Sequence, residues 1–151
     1  MEQNLGGLDE IQETNEDKSE IIVLENHKKK RMPFFFWEVN GVSHKMKLQT
    51  GMIGKLENKY RRNLLNIISD EGIPPLSVML TIAQAALHPW EHGLTYKDVE
   101  KLYDSWVEND GGSQSDFLTN VIIPTMAVSG FFTPEQADSI MSSMKDAMEL
   151  I

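Results

Sequence analysis

Apolar and polar residues alternate with a period of two between positions 34 and 49, FFFWEVNGVSHKMKLQ, and the period lengthens to three and four from there on. Asn40-Gly41 stands at the centre of the alternating stretch. This dipeptide tolerates the positive φ angles that a two-residue type I′ turn demands. A turn there pairs Val39 with Val42, Trp37 with His44 and Phe35 with Met46 on one nearly apolar face. The other face takes Glu38 with Ser43, Phe36 with Lys45 and Phe34 with Lys47. Strand side chains point alternately to opposite faces, so a slip of one residue would scramble both. The spacing predicts a β-hairpin.

Helical periodicity follows. Thr50 stands where it can cap a helix whose apolar positions are Met52, Ile53, Leu56, Tyr60, Leu64 and Ile68, with Lys55, Lys59, Arg61 and Arg62 off that stripe as a solvated face. Gly72 and Pro74-Pro75 break the chain before a second helix over about Leu76 to His88, apolar nearly all round and therefore expected at the centre, which Pro89 ends. Thr95 with Asp98 caps a third helix, bearing Val99, Leu102, Tyr103, Trp106 and Val107, and the loop Asn109-Asp110-Gly111-Gly112 follows it. Ser113 with Asp116 opens a fourth, which Pro124 should kink or restart and Ser129-Gly130 closes. Thr133-Pro134-Glu135-Gln136 opens a fifth, with Ile140, Met141, Met144, Ala147, Met148 and Ile151 on one stripe. The expected fold is α+β and mostly α: an N-terminal hairpin and about five helices packed as one small domain over residues 32–151. Residues 1–31 read as a flexible charged tail, interrupted by the β-prone run Ile21-Ile22-Val23-Leu24, which suits a short strand, a staple or a partner-binding segment.

Charge and composition narrow the function. The net charge is −9 over 151 residues, and both parts are acidic: residues 1–31 carry eight acids and five bases, the remainder fifteen and nine. A phosphate backbone would be repelled by that field, and the basic run Lys28-Lys29-Lys30-Arg31 reads as a solubilising collar on the apolar stretch after it. There are no cysteines, which excludes disulfides, thiolate metal sites and a cysteine nucleophile. No apolar run approaches the length of a membrane-spanning helix, and the acidic, glycine-broken start is no signal peptide, so a cytoplasmic protein is expected.

The sharpest enzymatic candidate is His88-Pro89-Trp90-Glu91-His92, a literal H-x-x-E-H string. In inverted zinc metalloproteases that string must lie on a continuous helix so that both imidazoles face one metal. Here proline follows the first histidine and glycine the second, so the segment reads as a helix end and turn whose imidazoles do not converge. Residues 108–112 lack the phase and closing glutamate of a calcium loop, and no phosphate-binding or dinucleotide-binding glycine motif occurs. The helix opened at Ser113 has no basic residue before Lys145 and makes a poor DNA-recognition helix. The expectation is a protein without catalytic residues, cofactor or metal. Two features suit protein partners instead. Phe34, Phe36 and Trp37 belong to an aromatic cluster whose outer side is either buried under the N-terminal segment or open to strand addition or self-association, and Met141, Met144 and Met148 form a stripe that serves either core packing or an adaptable surface.

Laid out in this way, the chain resembles the tail assembly chaperones of long-tailed bacteriophages and related prophages of Gram-positive bacteria. The likeness lies in FFFWEVNGVSHKMKLQT, in GMIGKLENKYRRNLLNII, and in the block from Ile73 to Phe132 with a final helix. It covers roughly residues 34–150, with Ile73–Leu80, Gly111–Leu118 and Ser129–Phe132 most telling. The resemblance implies a non-enzymatic role in the host cytoplasm. Such a protein coats the tape measure protein, keeps it soluble, helps recruit tail tube protein, self-associates, and is absent from the finished virion. A structural tail component retained in the particle is the alternative. The family carries no catalytic residues to transfer.

Overall fold

The computed structural model describes residues 31–70 and 72–149, the last six for the backbone alone. The tail through Lys30, including Ile21–Leu24, and the side chains of Met144 and Met148 lie outside the described residues. Asn40 (φ 50°) and Gly41 (φ 85°) both take left-handed backbone conformations, the combination a type I′ turn needs. They join strand β1 (Phe35–Val39) to β2 (Val42–Met46) as a two-stranded antiparallel sheet. Its register is Val39–Val42, Glu38–Ser43, Trp37–His44, Phe36–Lys45 and Phe35–Met46, as the alternation predicts. The sixth expected pair, Phe34 with Lys47, is not part of the ladder: Pro33 has no N–H to donate and the Leu48 N–H turns to Ser129, while the outward-pointing Lys47 N–H donates to the carbonyl of Ala86 (3.0 Å). The Asn40 N–H donates to Asp110 Oδ2 at 2.7 Å, which ties the turn to the end of a distant helix.

Six helices follow among the described residues: α1 (Thr50–Tyr60), α2 (Leu64–Ser69), α3 (Leu76–Leu87), α4 (Tyr96–Asp110), α5 (114–128) and α6 (Pro134–Glu149). The first expected helix is thus two. Arg61 adopts a left-handed conformation (φ 57°, ψ 35°), and its N–H closes α1 on the carbonyl of Glu57. Asn63 then starts α2, its side chain accepting the Leu65 N–H at 2.9 Å, while Glu57 Oε2 accepts the Leu64 N–H at 2.8 Å. Leu56, Leu64 and Ile68 are buried on both sides of the break, so the apolar period survives it. Thr50 is not a cap: Gln49 occupies that position and makes no side-chain capping bond. Asn109 and Asp110 complete α4 rather than leaving it, and Gly111 (φ 73°) stops it.

The predicted capping boxes are present. Thr95 and Asp98 exchange side-chain and backbone bonds at the start of α4, and Thr133 and Gln136 do so before α6. These bonds from Thr95 hold the Asp98 carboxyl below the ordinary aspartate range. Ser113 opens α5 by accepting the Asp116 N–H. The helix runs through Gln114–Phe117, widens to one π turn over Leu118–Ile122, and resumes over Ile123–Val128. Proline has no N–H and its ring crowds the carbonyl four residues back, so a widened turn just ahead of Pro124 accommodates it without ending the helix.

The helices cover one face of the hairpin. Trp37, Val39, Met46 and Leu48 are buried against Met79, Ile82, Ala83, Ala86 and Leu87 of α3, Val99, Tyr103 and Trp106 of α4, and Phe117, Val121, Ile122 and Met126 of α5. Helix α3 is indeed buried nearly all round. The chain leaving β2 is pinned, since Ser129 Oγ accepts the Leu48 N–H (2.8 Å) and donates to the Thr125 carbonyl (2.6 Å). This compact unit begins at Arg31, one residue before the sequence boundary, and the Arg31 guanidinium donates to the Phe132 carbonyl. None of the helices among the described residues is long and apolar enough to cross a membrane.

Candidate functional site

Strand alternation that buries Trp37 must turn Phe36 outward, and Phe36 is 48% exposed. Its cross-strand partner Lys45 shares that outer face and lies over two rings: its Nζ is 4.5 Å from the centroid of Phe34 and 5.3 Å from that of Trp90. Phe34 and Trp90 meet edge to face, 5.1 Å between centroids. Trp90 is 37% exposed, and Met32, preceding the strand, is 52% exposed. The ammonium is held by the faces of both rings, and the assembly leaves apolar edges toward solvent.

The turn after α3 brings Trp90 to this face. Pro89 ends the helix, and the Trp90 and Glu91 N–H groups both donate to the Leu87 carbonyl (3.1 and 3.0 Å). Glu91 Oε2 lies 2.7 Å from His44 Nδ1 on β2, a half-buried pair that fastens the turn to the hairpin. This accounts for the H-x-x-E-H string. Its carboxylate is engaged by His44 on β2. His88 and His92 do approach each other, edge to face at 5.3 Å, which the Pro89 and Gly93 breaks did not lead one to expect. No group of three His, Asp or Glu side chains among the described residues is arranged to hold a metal ion.

The other candidates divide. Trp37 is 1% exposed and cannot meet a partner. Its ring packs on Trp106, Phe117 and His44 at centroid distances of 6.0, 5.2 and 6.4 Å. Its indole N–H is buried without a hydrogen-bond partner, so its contribution is apolar packing alone. Tyr103 completes the cluster against Trp106 and Phe117, and burial, reinforced by Asp104, raises its phenol above the ordinary tyrosine range. Phe34 is half-buried beneath Lys45, and Phe36 is open. Met141 is half-buried on α6. Trp90 is not among the partner-binding residues the sequence points to, although its place just after a helix-ending proline favours exposure. Compared with family models, with curated proteins and with solved structures, the chain matches none.

Proposed function

We propose that this chain is a tail assembly chaperone of a long-tailed bacteriophage or related prophage, which binds the tape measure protein, keeps it soluble and assists tail tube assembly. The reading rests on the resemblance of residues 34–150, and one structural observation carries the binding role: the exposed Phe36 and Trp90 flank Lys45 on the outer face of the hairpin, with Phe34 against Trp90 beneath it. Exposed apolar side chains grouped on a rigid element are what a protein partner buries. Single exposed apolar residues elsewhere need no such explanation. The aromatic surface suits the apolar stripe of a long helical client, with Lys45 available to a carboxylate on it.

Co-expression of the tagged chain with the tape measure protein should capture that protein. The double substitution F36S/W90S should abolish capture while leaving thermal unfolding cooperative. Purified virions should contain no more than traces of the chain by mass spectrometry. Abundant copies in the particle would replace the chaperone reading with that of a retained tail component.

A further inference from the structure

A second surface has a different character. Helices α1 and α3 leave a groove of about 210 Å³ between them, lined by Met52, Leu56 and Ala85 together with Thr81 and Gln84, whose hydroxyl and amide N–H donate to the Ser77 and Leu94 carbonyls. Lys55 and Lys59, one helical turn apart on α1, stand at its rim, with His88 at the end of α3. In a chain with nine more acids than bases, no carboxylate lines this groove. The one acid of α1, Glu57, is occupied in capping the Leu64 N–H. Lys55 makes no ion pair among the described residues, and Lys59 reaches only the ring of Tyr60 at 5.7 Å. Arg62, by contrast, is bonded to Asp70.

We infer that this groove receives an acidic amphipathic helix of a partner protein. Met52, Leu56 and Ala85 take aliphatic side chains, as a groove between two helices does for the apolar face of a third. The two lysines select a helix whose flanking positions are glutamate or aspartate, because complementary charge steers encounter and rejects the wrong partner. A nucleic acid fits less well: two lysines neutralise few phosphates, and the overall field repels the backbone. This site is separate from the aromatic face of the hairpin and does not depend on the identity of the tape measure client.

The test uses the full chain and a fluorescent synthetic peptide, helical, with leucines four residues apart and glutamates beside them. Anisotropy should show binding that weakens as salt rises and weakens by about tenfold or more in K55E/K59E. Both lysines are exposed, so the variant should unfold at the wild-type temperature. F36S/W90S should bind the peptide unchanged, which separates failure of this groove from failure of the hairpin surface. The inference is overturned by any of four results: no binding of the acidic peptide, equal affinity in K55E/K59E, equal affinity for a peptide with lysine in place of glutamate, or tighter binding of a duplex oligonucleotide to the same lysines.

Discussion

Phe36 and Trp37 are adjacent in the chain, similar in chemistry and opposite in fate. Trp37 faces inward, 1% exposed, in a cluster with Trp106, Phe117 and Tyr103, whereas Phe36 faces outward, 48% exposed, beside Lys45. The inner ring has water removed from nearly all its surface, so its contribution is to folding. The outer ring retains about half its exposure, so the remaining burial is available to a partner. The two faces of one hairpin thus divide stability from recognition, and each substitution below should move one without the other.

The largest effect is expected at the inner face. Trp37→Ala should lower stability by about 3–5 kcal/mol, read as a fall in the urea midpoint, because the rings around it cannot collapse into the space. A loss of less than about 1 kcal/mol would mean that the two faces are energetically alike, against the comparison. Next comes Gly112→Ala. A β-carbon there would collide with the Trp106 ring, which packs on Trp37, so about 1–3 kcal/mol should be lost and near-ultraviolet circular dichroism should change.

Thr95→Ala reaches the inner cluster from further away, through the start of the helix that carries Tyr103 and Trp106, and should cost about 1 kcal/mol. The same cap has a pH signature. The Asp98 carboxyl is held below its unfolded value, so the cap's contribution is complete above the unfolded pKa and disappears as pH falls through the folded one. The stability difference between wild type and T95A, measured by urea unfolding at a series of pH values, should therefore shrink in acid and stay constant from mildly acidic to neutral pH. The smallest effect on folding belongs to the outer face: Phe36→Ser should change stability by no more than about 0.5 kcal/mol while weakening capture of a partner. A large loss of stability would place Phe36 with Trp37 as a packing residue.

Much of this arrangement could be read from the residues, for reasons that differ along the chain. The hairpin register depended on Asn40-Gly41 and on alternation within a few residues, both local. The Thr95, Ser113 and Thr133 helix starts were legible for the same reason, since a cap is a bond between a side chain and a backbone group three residues on. The break at Arg61 was not legible. Leu56, Leu64 and Ile68 keep helical phase across it, so periodicity described one rod where Arg61 and Asn63 make two. Lys55, Lys59, Arg61 and Arg62 are exposed, as their place off the apolar stripe predicts. That Lys55 and Lys59 border a groove depends on where α3 lies, which no spacing within α1 records.

By itself, then, the sequence determined the elements, most of their ends and the two faces of the hairpin, because those follow from backbone conformation and from the periods of strand and helix. Tertiary structure alone decided which face would be covered. It buried Trp37 under α4 and α5, and it swung Trp90 across to Phe34 and Lys45 by joining Glu91 to His44, a contact between residues 47 positions apart. Such contacts depend on how whole elements pack, and packing answers to volume and charge across the molecule, whereas a motif is confined to its own few residues.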